Sequence, residues 1–433
     1  MSTELKIAVA GLGTVGAGTI ELLTKQAGLL EQRCGRALQV TAVSARDRNR
    51  DRGVDLSPYQ WFDDAVEMAS KADADVIVEL IGGSDGPAKA LTEAAFRAGR
   101  HVVTANKALI ALHGAELGAA AEEAGLSLCY EAAVAGAVPA IRSIREGLAA
   151  NRISRLHGIL NGTCNYILTI MRETGRDFDD VLAEAQKLGY AEADPSFDID
   201  GIDTAHKLAI LASLAFGTRI DFDDTFVEGI RRISADDISF ADELGYRIKL
   251  LGTAEASNGG LQLRVHPAMV PLDAAIASVE GVLNAVECES DYAGTTMLVG
   301  RGAGAGPTAS AVVGDLIDIA LGRTTPVYGV PVSGLARVPI LPMESHVGPY
   351  YVRLMVYDKP GVFADVAAIL RDHEISMEAV LQRSRSTTEP VPVVLKTHEA
   401  RESAVSAALT AIGALDAVSE PPHMIRIEPA AAG

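Results

Sequence analysis

Cysteine is scarce in this 433-residue chain: Cys34, Cys129, Cys164 and Cys288 stand far apart and form no CxxC pair. Such spacing excludes a disulfide framework, carries no zinc or redox-dithiol signature, and suits a reducing cytoplasm. Basic residues are in deficit as well, 38 Lys plus Arg against 57 Asp plus Glu, a net charge of −19. A surface so acidic repels phosphate backbones and anionic lipid, so neither nucleic acid nor membrane is an expected partner. Apolar runs such as 208–216 fall well short of the ~20 residues of a membrane-spanning helix. The opening Met1-Ser2-Thr3-Glu4-Leu5-Lys6 lacks the basic region, apolar core and cleavage site of a signal peptide. The expectation is a soluble cytoplasmic protein of two or three globular domains.

What is present alternates short apolar runs with amphipathic helical stretches. Residues 6–10, 38–44, 74–81 and 101–104 read as strands, with a helix opening near Thr14. That alternation specifies a parallel sheet with helical crossovers, its strands buried on both faces. From about Gly136 the pattern changes to longer helices at 138–149 and 202–216, with strands at 252–256 and 262–270. Residues 302–308, Gly-Ala-Gly-Ala-Gly-Pro-Thr, form a glycine-rich turn opening a helix through Leu321. The segment 328–349 holds Pro331, Pro339, Pro342 and Pro349 with little periodicity and reads as a linker. Beyond it the order is strand 350–357, helix 362–372, strands 377–382 and 391–397, helix 401–412 and strand 424–427. This is the βαββαβ order of the ferredoxin-like split motif. The expected fold is α/β: a Rossmann-type parallel-sheet domain over 1–135 with a helix at 306–322 packing back on it, an α+β catalytic and dimerisation domain over 136–325, a linker over 326–349, and the ferredoxin-like unit over 350–428.

Gly11-Leu12-Gly13-Thr14-Val15-Gly16 follows the first strand and opens a helix. In a βαβ unit the first glycine allows the tight turn, the second admits a pyrophosphate, and the third permits close helix-to-strand packing. Gly11, Gly13, Thr14, Val15 and Gly16 are therefore candidate dinucleotide contacts. An acid at the end of the second strand binds a ribose 2′-hydroxyl, whereas an arginine accommodates a 2′-phosphate. Arg46 stands there, followed by Asp47, Arg48, Arg50 and Arg52, which places NADP ahead of NAD. Lys107, in Val103-Thr104-Ala105-Asn106-Lys107, lies where open α/β sheets gather their ligands and could reach a substrate oxygen. Residues 131–139, Glu-Ala-Ala-Val-Ala-Gly-Ala-Val-Pro, place one carboxylate among small residues whose carbonyls could turn toward a shared cation, or could form only a buried turn.

Residues 190–244 hold 13 acids against four bases, an excess that commonly marks a solvated face. Within it Asp203 and Lys207 share one helix face. The helix around them, with Leu208, Ile210, Leu211 and Leu214, is apolar nearly all round and should be buried. A buried ammonium needs a partner or a chemical role, and Asp203 would hold it charged and oriented. The nine histidines show no HxH or HExxH spacing, so no zinc site is assigned.

These motifs, with Gly158-Ile159-Leu160-Asn161-Gly162-Thr163-Cys164-Asn165-Tyr166-Ile167-Leu168 and Gly304-Ala305-Gly306-Pro307-Thr308, resemble the monofunctional homoserine dehydrogenases over residues 5–325. The C-terminal unit, with Asp358-Lys359-Pro360-Gly361-Val362 after its first strand, resembles an ACT domain. No aspartokinase portion precedes the first strand, so the fused bifunctional form is not expected. The resemblance implies NAD(P)-dependent interconversion of L-homoserine and L-aspartate 4-semialdehyde in threonine and methionine biosynthesis. It implies Lys207 as proton donor and acceptor, Lys107 touching substrate and cofactor, and Glu192 and Asp198 binding substrate. It further implies Gly306 in a loop that closes on the nicotinamide, and a monovalent cation, sodium, on oxygens of Glu131, Val134, Gly136 and Val138. A homo-oligomer, dimer or tetramer, with L-threonine as effector at the ACT unit completes what it implies; a chain ending near Pro342 is then expected to stay active but insensitive.

Two other readings of the residues stand beside this one. A semialdehyde dehydrogenase could oxidise through a thiohemiacetal on Cys164. A non-catalytic sensor could bind a dinucleotide and an amino acid, although it leaves Lys207 on a buried helix without a role.

Overall fold

The computed structural model describes residues 4–428 apart from positions 221, 258 and 385. The chain divides into two compact units, one of Met1–Gly162, Asp203–Thr225 and Val282–Val338, the other of Thr163–Ile202, Phe226–Gly281 and Pro339–Gly433.

The first unit is built on six parallel strands in the order Gln60–Phe62, Ala37–Ser44, Glu4–Ala10, Val76–Glu79, His101–Thr104 and Leu128–Cys129. This is the doubly wound dinucleotide-binding order, whose crevice opens where the winding reverses, between Glu4–Ala10 and Val76–Glu79. Ile7, Val9, Val76, Val78 and Val103 are fully buried between the helical layers, as central parallel strands require. The two outer strands, of three and two residues, are too short to leave a periodic trace in the sequence. The helix Ala305–Ala320 returns to this core through Val312 and Leu316, which join Ile20 and Leu23 of the helix Thr14–Lys25. The expected long helix at 138–149 is instead one α turn, Ala140–Arg142, running into a π segment, Ser143–Gly147. An antiparallel ribbon, Ile153–Ile159 with Leu283–Ser290 and Gly294–Arg301, and the helix Ile202–Phe216 complete the unit.

The second unit carries the long hairpin Tyr246–Ser257 and Gly260–Pro271 and a four-stranded antiparallel sheet ordered His423–Ile427, Tyr350–Val356, Val391–Thr397, Met377–Gln382. Val362, Val366, Leu370, Val405, Ala408 and Ile412 of its two helices pack on that sheet with Val352, Leu354 and Val393. The sheet does not stand alone, because His423–Ile427 also runs parallel to Gly260–Pro271, pairing Ala268 with Arg426 and Met269 with Ile427. One edge of the ferredoxin-like sheet is thereby closed by the same chain. The proline-rich segment holds short 3₁₀ turns at Val332–Gly334 and Met343–Ser345. It is tied along its length: Val327 O accepts from the Tyr130 hydroxyl at 2.6 Å in the first unit, and Pro339 O accepts from Leu261 N at 2.9 Å in the second.

Candidate active site

The crevice of the parallel sheet is a cleft of about 860 Å³ lined by Gly11, Gly13, Arg46, Arg50, Arg52, Ile81 and Gly82 among others. Gly11 turns with φ of +92°, and a Cβ there would meet Leu80 O at 2.4 Å; a Cβ on Gly16 would meet Gly11 O at 2.0 Å. At Gly13, by contrast, a Cβ would meet nothing within 4 Å, so the loop is packed tight behind and open in front. No side chain caps the helix Thr14–Lys25 at Gly13, which leaves its first N–H groups directed at the cleft with their partial positive charge. The residues thus fit a dinucleotide pyrophosphate. Arg46 is exposed on the rim. Arg52 instead donates to Leu12 O at 3.1 Å and to Arg50 O at 2.7 Å, pinning the arginine-rich loop against the glycine loop. Gly306 lies in the first turn of Ala305–Ala320, with open space where its Cβ would be.

The second constellation gathers on Asp203. Helix periodicity sets Asp203 and Lys207 on one face of Ile202–Phe216, and only 3% and 9% of these residues are exposed. Lys207 Nζ donates to Asp203 Oδ2 at 2.7 Å and to Leu160 O at 2.7 Å. Asn161 Nδ2 donates to the same Oδ2 at 2.8 Å, and Lys107 Nζ lies 3.0 Å from Oδ1. Burial by itself pushes the Asp203 carboxyl up; the Lys207 and Lys107 cations and the hydrogen bonds from Lys207 and Asn161 outweigh it and hold the group well below the usual carboxylate range. Three separate elements therefore converge: the Ile202–Phe216 helix, the turn after Ile153–Ile159, and the start of the helix Lys107–Glu123. The partnership of Asn161 with Asp203 leaves no mark in the sequence, because nothing in spacing ties the two together.

In the 131–139 turn the chain itself engages the carboxylate. Glu131 is buried, and its Oε1 and Oε2 accept from Ile141 N and Arg142 N, both at 2.9 Å, at the start of Ala140–Arg142. Its own N–H donates to Asp315 Oδ2 at 2.9 Å. Ala135 and Gly136 both have φ of +54°, a left-handed pair that turns successive peptide groups. A Cβ on Gly136 would meet Gly302 C and O at 2.6 Å. The carbonyls of the turn are partly engaged as well, Glu131 O accepting from Val134 N at 3.4 Å and Val138 O from Ala140 N at 2.7 Å; carbonyl oxygens are the hard donors that a hard ion takes.

Glu192 and Asp198 belong to the second unit. Glu192 is exposed and its carbonyl accepts from Gln186 Nε2 at 3.0 Å. Asp198 lies in the short helix Ser196–Ile199, which Arg231 braces through Ser196 Oγ and Asp200 Oδ2, each at 3.0 Å. Asp198 O accepts from Cys164 Sγ at 3.3 Å, and Cys164 is fully buried. A thiol so enclosed is ill placed to attack an aldehyde.

Comparison with known proteins agrees with this geometry. The family model for homoserine dehydrogenase matches residues 139–317, that for the homoserine dehydrogenase NAD binding domain residues 11–131, and that for the ACT domain residues 350–415. The chain is 47% identical to a homoserine dehydrogenase of Pseudomonas aeruginosa over 98% of its own length and 99% of the relative's. A crystal structure of a homoserine dehydrogenase from Thiobacillus denitrificans superposes with a TM-score of 0.91 at 45% identity, covering 98% of each chain. A hyperthermophilic archaeal homoserine dehydrogenase in complex with NADPH superposes with a TM-score of 0.63 at 27% identity, over 75% of this chain and 99% of that one. Neither a cysteine-based semialdehyde dehydrogenase nor a non-catalytic sensor is favoured by these matches. A nicotinamide-dinucleotide cleft, two lysines on one buried carboxylate and full-length similarity converge on one conclusion: the chain belongs to the homoserine dehydrogenase family of oxidoreductases and carries a C-terminal ACT domain.

Proposed function

We propose that Lys207 exchanges the proton on the reacting oxygen as L-homoserine and L-aspartate 4-semialdehyde interconvert, with Asp203 orienting it and Lys107 approaching the same oxygen from the helix Lys107–Glu123. The observation that carries this reading is the single buried carboxylate shared by Lys207 and Lys107 at 2.7 and 3.0 Å. Oxidation of the alcohol releases a proton from oxygen and a hydride from carbon; the nicotinamide, when bound, supplies the hydride acceptor, and the donor in the reverse direction. In the reductive direction negative charge grows on the carbonyl oxygen, and a positioned ammonium both stabilises it and provides the proton. Leu160 O and Asp203 Oδ2 use two of the three Lys207 N–H donors, which leaves one for that oxygen. Asp203 is a positioning residue in this scheme, its oxygens engaged by two lysines and an asparagine.

Gly11, Gly13, Thr14, Val15 and Gly16 hold the pyrophosphate, and Gly306 closes on the nicotinamide side. Arg46 on the cleft rim favours the 2′-phosphate of NADP over the free hydroxyl of NAD. Glu192 and Asp198 provide carboxylates for the substrate's α-ammonium. Main-chain oxygens of Glu131, Val134, Gly136 and Val138 hold a monovalent cation, sodium, which would brace the turn packed on Gly302. The C-terminal unit takes L-threonine as an inhibitory effector, and the enzyme works as a homo-oligomer in the cytoplasm. Among the described residues no helix is long and apolar enough to cross a membrane.

The test is an absorbance assay at the nicotinamide band with L-homoserine and NAD or NADP in turn, on the wild type and on Lys207→Met. Turnover by the wild type with either cofactor and its loss in the folded variant are expected. A Lys207→Met enzyme that matches the wild-type rate overturns the proton-transfer assignment.

A further inference from the structure

Glu79, the last residue of its strand, is fully buried at the C-terminal edge of the parallel sheet. Three donors converge on its carboxylate: Ile81 N at 2.7 Å and Gly82 N at 3.2 Å on Oε1, and the Thr104 hydroxyl at 2.6 Å on Oε2. The Thr104 oxygen in turn accepts from Asn106 N at 2.9 Å. With its proton committed to Glu79 and its lone pair to Asn106, this hydroxyl has a fixed polarity. Asn106 then reaches both ways. Its Nδ2 donates to Gly83 O at 2.7 Å, and its Oδ1 accepts from Leu109 N at 3.1 Å, capping the helix whose first residue is Lys107.

We infer that Glu79 is a positioning residue that sets Lys107 against Asp203 and, with the same carboxylate, shapes the cofactor wall at Ile81 and Gly82. The chain of contacts runs from Glu79 through Thr104 and Asn106 to the first turn of the helix and ends 3.0 Å from Asp203 Oδ1 at Lys107 Nζ. The other branch fixes the turn against which Gly11 packs, since a Cβ on Gly11 would lie 2.8 Å from Ile81 N. A buried carboxylate is costly unless its lone pairs are filled. Among the described residues its donors come only from the two segments that meet at the cofactor cleft and the lysine pair, so the cost is matched by a geometric function at both. A glutamine in its place keeps an oxygen for Ile81 N and Gly82 N by turning its NH₂ group to Thr104, whose hydroxyl must then accept where it donated and is left with its own proton unpaired.

The inference rests on the proposed role of Lys107, and the experiment keeps the two separable. In the full-length enzyme, kcat and KM for homoserine and NADP are measured for Glu79→Gln, Thr104→Val, the double variant, Thr104→Ser and Lys107→Met, with melting temperatures alongside. Glu79→Gln and Thr104→Val are expected to lose kcat by roughly 10²-fold, the scale of a misplaced catalytic group. The double variant should lose no more than either single one, because both cut the same relay. Thr104→Ser, which keeps the hydroxyl, should recover most of the rate lost in Thr104→Val, a recovery that simple loss of packing does not produce. Should Glu79→Gln fail to fold, the Thr104 pair carries the test alone. If Lys107→Met is impaired while folded Glu79→Gln or Thr104→Val turns over at the wild-type rate, the relay is overturned. If Lys107→Met itself turns over normally, the reading of Lys107 falls and the relay with it.

Discussion

Lys207 Nζ lies 2.7 Å from Asp203 Oδ2, one turn away on the same helix, with both side chains buried. The pair needs no long loop to hold it, so the ammonium is presented from a rigid element. Replacing Lys207 by methionine keeps the aliphatic stem and removes the proton. Turnover should fall by ~10²–10⁴-fold, the usual scale of general acid–base assistance. Dinucleotide affinity, read by nicotinamide fluorescence, should change little, because the glycine loop is untouched.

Asp203→Asn removes the charge that two buried or half-buried lysines share. Both kcat and stability should drop, the latter by about 3–5 kcal/mol if the site behaves as a broken buried pair. The pH dependence has a definite sign. A carboxyl held below its ordinary value of 3.8 adds stability above that pH and gives it up as the solution is acidified toward the folded-state value. The gap between wild type and Asp203→Asn in urea unfolding should therefore persist from neutral pH down to about 4 and narrow below it. A gap that closes instead between pH 8 and 6 contradicts the assignment.

Arg46 tests the cofactor reading. Its guanidinium stands on the rim of the cleft with Arg50, while Arg52 is occupied by Leu12 and Arg50 carbonyls. Arg46→Ala should raise KM for NADP more than KM for NAD. Equal changes for both cofactors would reduce the arginine run to a solvated loop.

The sequence made some of this visible and not the rest, for physical reasons. Asp203 and Lys207 were legible because both sit in one helix, where a period of 3.6 converts spacing into contact. The partnership of Asp203 with Lys107 and Asn161 was not, because it depends on how three separate elements pack. The pattern of 131–139 leaves a cation turn and a plain buried turn equally open; the engagement of the Glu131 carboxylate by the backbone N–H groups of Ile141 and Arg142 is a use that composition cannot reveal. Sequence pattern discloses four of the six strands of the parallel sheet, since Gln60–Phe62 and Leu128–Cys129 are too short for any pattern. His157, Glu287 and Glu289 bring ligand atoms within 4.8 Å of one another across paired strands, a cluster that only strand register discloses; Arg155 already sits 3.1 Å from Glu289.

Lys249 offers a second pH test, away from the lysine pair. Only 2% exposed, it donates to Val279 O at 2.6 Å and Asn165 Oδ1 at 3.2 Å, and burial, opposed by Glu280 and aided by Arg172 and Arg247, lowers it to about 8 from 10.5. Between those two values the unfolded chain binds the extra proton, so this residue makes stability rise with pH, by up to about 3 kcal/mol across the interval. Relative to wild type, Lys249→Met should thus be more favourable at pH 7.5 than at pH 10 in chemical denaturation. A stability difference independent of pH over that range would show that the amine is not depressed.

The C-terminal unit bears the largest change in expectation. A module joined by a proline-rich linker should be removable, but its strand His423–Ile427 pairs directly with Gly260–Pro271. Arg426 Nη1 donates to Glu228 at 2.7 Å, and Arg264, only 1% exposed, lies 3.3 Å from Glu428. Asp237, fully buried on its helix, accepts from Tyr351 at 2.9 Å and from Arg353 at 2.8 Å, with His423 at 3.3 Å. A chain ending at Pro342 removes every one of these partners together with the edge pairing. It leaves Arg264 with fewer acceptors, and strips Asp237 of Tyr351, Arg353 and His423, so that its Oδ2 keeps the donors of Ser234, N at 3.0 Å and Oγ at 2.7 Å, while the phenol and guanidinium on Oδ1 are gone. Losing one partner of a buried charge typically costs about 3–5 kcal/mol, and here several are lost at once, against a total stability of roughly 5–15 kcal/mol. The truncated protein should therefore be insoluble or markedly less heat-stable, and its loss of activity should be a loss of folded enzyme rather than of feedback alone. The full-length Arg426→Met variant isolates one of these contacts and should lower the melting temperature by several degrees. Truncation at Pro342 with the wild-type melting temperature and kcat would mean instead that the unit is an appended sensor, and that the shared strand pairing contributes little to the fold.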